Sequence, residues 1–283
     1  MCIRVEADSA LAGEAALAEA FEAGASGAQE SEAAGLLKWL LYAPSVLAPA
    51  VCRALASHAP GVRAASPEAV PDTDWAERWK QGLKAVSVSP RLRVRPSFVE
   101  AEPLAGQAEL VIDPGQAFGT GGHASTLLAL EWIDALAPDA LADARVLDVG
   151  CGTGVLALAA LRLGARFCVA IDLDPLAARA TRQNAAANGL AARSHVVLGA
   201  LESVGVGGFE IVVANLLRSE MLPLLPGIAQ RTAAAGRVVL SGLLAGEVEA
   251  VLEAGGALGI ALEKRREQLD ANGDCWVGLL MRR

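Results

Sequence analysis

The stretch Val146-Leu-Asp-Val-Gly-Cys-Gly-Thr-Gly154 decides the fold of this 283-residue chain. Its apolar start predicts a buried strand, and glycine then alternates with other residues until a helix that is expected to begin near Val155. Glycine adopts backbone conformations that other residues disfavour, and it lets ligand atoms approach the main chain. The unpaired amide groups at the start of the helix face the same place. The stretch therefore predicts a ligand-binding turn between a strand and a helix.

Three classes of ligand use a turn of this kind. The dinucleotide pattern G-x-G-x-x-G would need glycine where the chain has Val155, and the phosphate loop G-x-x-x-x-G-K-[ST] would need a nearby lysine that the sequence lacks. The remaining pattern, Asp148-x-Gly-x-Gly-x-Gly, resembles the first motif of methyltransferases, in which Asp148 would face the cationic methionine end of S-adenosylmethionine. A purely structural tight turn is the alternative, and the cost of ordering three glycines argues against it.

Asp172 ends the next predicted strand, 22 residues beyond Gly150. A carboxylate at this place accepts hydrogen bonds from both hydroxyls of a ribose. The neighbouring Asp174, which precedes Pro175, is expected to cap the following helix. NAD-binding proteins share an acidic residue here, so Asp172 predicts a nucleoside without choosing one.

From residue 145 onward, predicted strands and helices alternate, which is typical of a doubly wound parallel sheet. The predicted strands cover 145–149, 167–171, 195–198, 210–214, 237–241, 258–269 and 275–281, and the predicted helices cover 155–163, 175–188, 220–232 and 246–254. Pro223 and Pro226 are expected to limit the early turns of helix 220–232. Asn272-Gly273 predicts a hairpin between the last two strands. The predicted fold class is α/β, a seven-stranded Rossmann-like methyltransferase domain.

The N-terminal part of the chain has a different pattern. A β-α-β-β-α-β order over 1–69 predicts a small α+β domain of ferredoxin-like type. The prolines of 67–71 indicate a boundary, and 70–84 is expected to form a linker helix pinned by Trp75 and Trp79. Substrate stacking is the alternative role of these two indoles. The methyltransferase domain is then expected to occupy 85–283.

The composition predicts a packed, acidic protein. Hydrophobic residues make up 53% of the chain, charged residues make up 20%, and the formal net charge is −8. A negatively charged surface disfavours direct binding of nucleic acid, because lysine and arginine must replace the counterions of the phosphates. The apolar stretch 36–56 contains two prolines, a lysine and an arginine, so no membrane role is expected.

The cysteines and histidines point to no metal chemistry. The five cysteines are widely spaced and the three histidines lie far apart, so we expect reduced thiols and no metal site. The N-terminus carries Glu6 and Asp8 and lacks a basic segment, which is unlike a secretory signal. These features predict a cytoplasmic protein, and a monomer is expected.

A second glycine-rich string, Asp113-Pro-Gly-Gln-Ala-Phe-Gly-Thr-Gly-Gly-His-Ala-Ser-Thr126, precedes a helix that is expected to start near Ser125. A plain connector would need only Ser125 or Thr126 as an N-cap. Together with the following Glu131-Trp-Ile-Asp134, the string resembles the signature of the bacterial methyltransferases of ribosomal protein eleven of the large subunit. The resemblance extends to Asp72-Thr-Asp-Trp-Ala-Glu-Arg-Trp79, Arg93-Val-Arg-Pro96, Val212-Val-Ala-Asn-Leu216 and Leu240-Ser-Gly-Leu243.

The resemblance implies a cofactor, a substrate and a set of site residues. S-adenosylmethionine would be the cofactor, and lysine side chains and the N-terminal amine of the ribosomal protein would be the substrate, with the small domain recognising that protein. Asn215 would be the catalytic residue, whose oxygen holds a neutral amine together with nearby carbonyls; a strand-end cap is its alternative role. The residues implied to bind the cofactor are Phe118, Gly119, Thr120, Thr126, Asp148, Gly150, Gly152, Asp172 and Asn215.

Some residues depart from the family's pattern, and other functions remain open. Gly122, Ala124 and Ser125 differ from the usual residues, and the first two remove side chains near the entrance of the expected site. The alternatives are a lysine methyltransferase of a different protein and a noncatalytic module used in ribosome assembly. An NAD oxidoreductase is least favoured, because Val155 and the terminal hairpin both disagree with it.

Overall fold

The computed structural model describes residues 1–33, 36–58, 61–68, 83–100, 105–113, 119, 121–137 and 139–283; at 10, 11, 14, 29–33, 36 and 37 it describes the backbone only. The chain divides into two compact units, Met1–Trp79 and Lys80–Arg283. The predicted linker helix 70–84 and its two tryptophans lie outside the described residues, apart from 83 and 84. The predicted domain limits therefore stay predictions.

The N-terminal unit is a four-stranded antiparallel sheet with two helices. Its strands are β1 (Cys2–Ala7), β2 (Gly27–Ala33), β3 (Leu36–Tyr42) and β4 (Val62–Ala64), and its helices are α1 (Ala10–Glu22) and α2 (Ala48–Ala56). Every second residue of β1, namely Ile3, Val5 and Ala7, is buried, as expected for a strand that is covered on one face. The spatial order β2-β3-β1-β4 confirms the predicted ferredoxin-like arrangement.

The C-terminal unit is built on a seven-stranded sheet. Its strands are β8 (Arg145–Val149), β9 (Phe167–Asp172), β10 (Ser194–Leu198), β11 (Phe209–Asn215), β12 (Thr232–Leu244), β13 (Ala261–Leu269) and β14 (Cys275–Arg282). They lie in the order β10-β9-β8-β11-β12-β14-β13, with β8 to β12 parallel and β14 antiparallel to both of its neighbours. This confirms the predicted doubly wound sheet that ends in a hairpin.

Helices cover both faces of this sheet. They are α3 (Ala124–Leu136), α4 (Val155–Arg162), α5 (Pro175–Ala187), α6 (Arg218–Arg231) and α7 (Val248–Ala257). Val146 of β8 packs in the same core cluster as Leu158 of α4, whereas Leu147 packs in the opposite cluster with Ile228 of α6. Since side chains alternate along a strand, Asp148 is directed to the α4 side of the sheet.

A three-stranded sheet in the C-terminal unit was not predicted. It consists of β5 (Val86–Ser87), β6 (Leu92–Pro96) and β7 (Ala108–Ile112) in the order β5-β6-β7. Its strands are two to five residues long, which is too short for periodicity to reveal them. β7 matters for function because the glycine-rich string follows it directly.

Helix α6 shows where burial outweighs local preference. It begins at Arg218 and continues through both Pro223 and Pro226, although each proline removes a backbone hydrogen bond. Met221, Leu225 and Ile228 are all buried against the sheet. The expectation that the prolines would limit this helix was therefore wrong, because the apolar face of the helix is stabilised by tertiary packing.

Candidate functional site

A cavity of about 790 Å³ lies at the carboxyl edge of the seven-stranded sheet. Its lining includes the residues that directly follow or end four neighbouring strands: Gly150, Asp172, Gly199 and Asn215. This is the edge at which doubly wound sheets bind their ligands. Its volume is in the range that accommodates a small ligand or a cofactor.

The glycine turn forms one side of this cavity. Gly150, Gly152 and Gly154 have φ angles of 72°, 53° and 80°, which other residues rarely adopt. The Gly150 and Cys151 N–H groups both donate to the Ile171 carbonyl, so the turn is fixed to the end of β9. At Gly154, an added Cβ would collide with Thr181 of α5. Backbone conformation therefore favours glycine at all three positions, and at Gly154 the available space requires it as well.

Asp172 connects the glycine turn to the end of β9. Its Oδ2 accepts the Gly152 N–H at 2.9 Å, and its Oδ1 accepts the Asp174 N–H at 2.9 Å. A carboxylate has about four acceptor sites, so Asp172 retains capacity for hydroxyl groups of a ligand. Asp174 caps α5 by accepting the Leu176 N–H, as predicted. We call Gly150, Gly152 and Asp172 the glycine-turn end of the cavity.

Asp148 lies beneath the turn and is fully buried. Its Oδ2 accepts the Ala157 N–H of α4 at 3.1 Å, while its Oδ1 has no hydrogen-bond partner among the described residues. Burial raises the pKa of this carboxyl to about 7, and the nearby charge of Asp172 adds to that effect. Its predicted contact with the cationic end of a cofactor stays a prediction.

Asn215 and Thr126 meet on the opposite side of the cavity. The Asn215 Nδ2 donates to Thr126 Oγ1 at 3.1 Å, and Thr126 is fully buried in the first turn of α3. A second hydrogen bond, from Ser241 Oγ of β12 to the Ser125 carbonyl at 2.7 Å, holds the same turn. Gly242 has a φ of 87° and packs against the backbone of Leu216. These contacts fix the amide of Asn215 through three elements.

Two ring side chains complete this side of the cavity. His123 and Trp276 both line it, and their ring centroids lie 4.7 Å apart in an edge-to-face arrangement. His123 is the N-cap of α3, because its side chain accepts the Ser125 N–H. The plain-connector alternative, in which Ser125 or Thr126 is the N-cap, therefore does not hold. We call His123, Thr126, Asn215, Leu216 and Trp276 the Asn215 end of the cavity.

Two asparagines that were not predicted as site residues bind the backbone of Val111 and Asp113, where the glycine-rich string begins. Asn184 of α5 exchanges hydrogen bonds with the backbone of Asp113 and also donates to the Thr153 carbonyl in the glycine turn. Asn188 exchanges similar hydrogen bonds with the backbone of Val111. Thr153 in turn donates from its hydroxyl to the Gly119 carbonyl. The sequence signal that could have revealed these residues is a pair of asparagines one turn apart at the end of an alanine-rich helix.

The cavity therefore gathers most of the predicted site residues. Gly119, Thr126, Gly150, Gly152, Asp172 and Asn215 all line it. Phe118 and Thr120 lie outside the described residues. The charged residues among the described lining are all acidic, with no lysine or arginine: Asp172, Asp174, Glu202 and Glu220. The electrostatic field of this lining favours cationic ligands.

The described residues were searched for metal-binding groups and membrane-spanning helices. They contain no group of three or more histidine, cysteine or acidic side chains that could hold a metal ion. All five cysteines fall within the described ranges and are free thiols. In the same ranges, we find no helix that is both long and apolar enough to span a membrane.

The sheet order and the site together define a class of protein. A sheet of this order, with a glycine turn after its first strand and a carboxylate at the end of the second, is a Rossmann-like methyltransferase fold. The family model for Ribosomal protein L11 methyltransferase (PrmA) matches residues 17–283, and the chain belongs to that family. The family resemblance predicted from the sequence is thereby confirmed.

Individual relatives agree with this assignment. The chain is 41% identical over 211 residues to a Ribosomal protein L11 methyltransferase of Symbiobacterium thermophilum, covering 75% of this chain and 66% of that relative. It is 43% identical over 196 residues to the one of Chromohalobacter salexigens, covering 69% and 64%. The matches thus span just under two thirds of these relatives' lengths. A crystal structure of ribosomal protein L11 methylase from Lactobacillus delbrueckii subsp. bulgaricus shows a TM-score of 0.62 at 28% identity, covering 70% of this chain and 98% of that one.

Proposed function

We propose that this protein transfers methyl groups from S-adenosylmethionine to amino groups of ribosomal protein L11, namely lysine side chains and the N-terminal amine. One observation carries the proposal: the Asn215 amide, held by Thr126, lies in the same cavity as the glycine turn and Asp172. Family membership supports the choice of substrate. The activity would take place in the cytoplasm, and the N-terminal unit would recognise the ribosomal protein.

The residues present fit the proposed cofactor. Gly150 and Gly152 form a cradle without side chains, and Asp172 retains acceptor capacity for the ribose hydroxyls. The acidic lining suits a molecule that carries a sulfonium and an ammonium group. S-adenosylmethionine supplies a methyl group that the positive sulfur already makes electrophilic, so the protein needs mainly to align the acceptor and exclude water.

Asn215 is suited to bind the neutral form of an amine. Because its Nδ2 donates to Thr126, its Oδ1 is left to accept an N–H from the substrate. Accepting this hydrogen bond would hold the amine in the cavity with its lone pair free for the methyl group that a bound cofactor would supply. A lysine ammonium has a pKa of about 10.4, so a proton must leave before or during entry. The amine that has lost this proton keeps an N–H for the Asn215 oxygen and has a lone pair for the methyl group.

The replacement Asn215→Ala tests the proposal directly. We expect kcat for methyl transfer to purified ribosomal protein L11 to fall by about 100-fold, since one positioned polar contact in a transfer site is worth two to three orders of magnitude. The thermal midpoint and the calorimetric affinity for S-adenosylmethionine should change little. Asn272→Ala, on the exposed hairpin turn, makes the same chemical change away from the cavity and should retain turnover.

Mass spectrometry of the reacted ribosomal protein separates the outcomes. Methyl groups on lysine side chains and on the N-terminal amine are expected with the unaltered protein. Transfer to other lysine-containing proteins but not to L11 would instead identify a different protein-lysine methyltransferase. Cofactor binding without transfer to any protein would indicate a noncatalytic module. Unaltered turnover in Asn215→Ala would contradict the role assigned to this residue.

A further inference from the structure

The hairpin of β13 and β14 contributes to the cavity as well as to the fold. We propose that Trp276 forms the wall along which the alkyl arm of the substrate amine lies, and that Asp270 positions this indole from the hairpin turn. The inference rests on the proposed amine methylation. The inference assigns a specificity-determining role to Trp276, at the Asn215 end of the cavity, and a positioning role to Asp270.

The contacts of Trp276 fix its ring at the cavity. Its Nε1–H donates to Asp270 Oδ2 at 3.0 Å, and its ring system packs edge-to-face with the His123 ring. The indole is half-buried and lines the cavity together with Asn215. One polar and one aromatic contact, from two separate segments, therefore set the orientation of the ring.

The strand order places Trp276 on the Asn215 side of the cavity. β14 is antiparallel to β12, so its first residues lie at the edge where the parallel strands end. Trp276 pairs there with Leu244, three residues beyond Ser241, which pairs with Asn215. The order β9-β8-β11-β12-β14 separates Trp276 from Asp172. The indole therefore lies on the side of the methyl acceptor and away from the expected ribose site.

His123 extends the effect of the indole to the amide of Asn215. The His123 side chain accepts the Ser125 N–H at 3.2 Å and so caps α3. The first turn of α3 carries Thr126, which accepts the hydrogen bond from Asn215. A displaced indole would remove the ring that packs on this cap. Asp270 thus influences the transfer geometry through Trp276, His123 and the first turn of α3.

An aromatic wall suits a substrate that gains methyl groups. Each methylation keeps the positive charge of the protonated amine and adds apolar volume, whereas it removes an N–H donor. An indole face attracts alkylated ammonium groups without requiring such a donor. A wall of this kind accepts the monomethylated and dimethylated amines as substrates for a further transfer.

Asp270 has two separable roles in the hairpin. Its Oδ1 accepts the N–H groups of Asn272 and Asp274 and so closes the turn, while its Oδ2 accepts the indole N–H. The indole N–H is the main reason that the pKa of Asp270 lies below its usual value. In Asp270→Asn, the amide oxygen retains the turn contacts, but the amide NH₂ faces the indole N–H, and two donors cannot bond.

Three variants test the inference with purified ribosomal protein L11 as substrate. Trp276→Leu should lower kcat/KM by about 30-fold and shift the products toward fewer methyl groups, with affinity for S-adenosylmethionine within about twofold. Asp270→Asn should lower kcat/KM by about fivefold with the same product shift. Asp274→Asn is the matched control, because it makes the same change in the same turn without a bond to Trp276, and it should retain full activity and product distribution.

A double variant distinguishes positioning from turn closure. In a Trp276→Phe background the indole N–H is absent, so adding Asp270→Asn should cause no further loss if Asp270 acts through the indole. An undiminished effect of Asp270→Asn in that background, or equal activities of Asp270→Asn and Asp274→Asn, would overturn the inference while leaving the proposed function intact. No methyl transfer by the unaltered protein would overturn both.

Discussion

The two ends of the cavity are assembled in different ways. At the glycine-turn end, the hydrogen bond from Gly152 to Asp172 joins residues only 20 positions apart. At the Asn215 end, the bond from Asn215 to Thr126 spans 89 positions, and the bond from Ser241 to the Ser125 carbonyl spans 116. The first end is one strand-turn-helix-strand unit, whereas the second is brought together only by the folded sheet.

Under the proposed function, this difference would separate binding of the cofactor from alignment of the amine. The glycine-turn end depends on a local backbone conformation that one stretch of sequence encodes. The Asn215 end depends on the close approach of α3, β11, β12 and β14, so small displacements change the geometry of transfer. We therefore expect changes at the first end to alter affinity for the cofactor and changes at the second to alter turnover.

The largest effect is expected from Gly242→Ala. An added Cβ would overlap the backbone of Leu216, which cannot move aside as a flexible side chain would, and the positive φ of 87° adds strain. Because Leu216 follows Asn215 directly, methyl transfer should fall by about 100-fold or more, as expected for a displacement of about 1 Å in a transfer site. Steady-state kinetics and thermal unfolding measure the two consequences.

Gly246→Ala is the matched control for this change. An added Cβ there meets no described atom within 4 Å, so stability and turnover should stay close to the unaltered values. A Gly242→Ala protein that folds and transfers methyl groups at the normal rate would show that the approach of β12 to Leu216 does not set the transfer geometry.

The next effect concerns Asp148 and the dependence of stability on pH. Its pKa is raised from 3.8 to about 7 in the folded protein, so the folded state binds more protons than the unfolded state between these values. Stability from this group is therefore greatest at low pH and is lost as the pH rises through this window. Relative to Asp148→Asn, the unaltered protein should lose about 2 to 3 kcal/mol of unfolding free energy between about pH 5 and about pH 8.

Denaturant titrations of both proteins at the two pH values measure this difference. The asparagine keeps an acceptor for the Ala157 N–H, so the replacement removes the charge while retaining the hydrogen bond. Parallel pH profiles for the two proteins would mean that Asp148 is ionised throughout and that its burial does not hold a proton.

The smallest of the three effects is expected from Asp172→Ala. Loss of a charged acceptor for the ribose hydroxyls should weaken S-adenosylmethionine binding by about 10-fold or more, since a hydrogen bond to a charged group contributes about 1.5 kcal/mol or more. The value of kcat at saturating cofactor should change by less than about threefold. Calorimetry and steady-state kinetics separate the two quantities.

Asp174→Ala controls for the lost backbone contacts. Both carboxylates accept a backbone N–H near the start of α5, so both replacements should lower stability by about 1 kcal/mol. Equal cofactor affinities of Asp172→Ala and Asp174→Ala would contradict the ribose contact. A fall in kcat without a change in affinity would contradict the division of roles between the two ends.

Some of the secondary-structure elements and site residues could be predicted from the sequence, and others could not. The strands around Asp148 and Asp172 and the hairpin at Asn272 were predicted because apolar runs, turn residues and caps act over a few positions. The short strands β5 to β7 carry too few residues for a pattern. The cap of α3 by His123 was missed because histidine is not a usual N-cap residue.

The sequence by itself determined the fold class, the glycine turn and the carboxylate that follows it, because each depends on residues that are close along the chain. Tertiary structure alone decided that Thr126 holds the amide of Asn215, that Gly242 packs against Leu216, and that Trp276 lines the same cavity as Asn215. These contacts join segments that only the ordered sheet brings within hydrogen-bond or van der Waals distance. Periodicity and capping rules describe neighbours along the chain and therefore carry no information about such contacts.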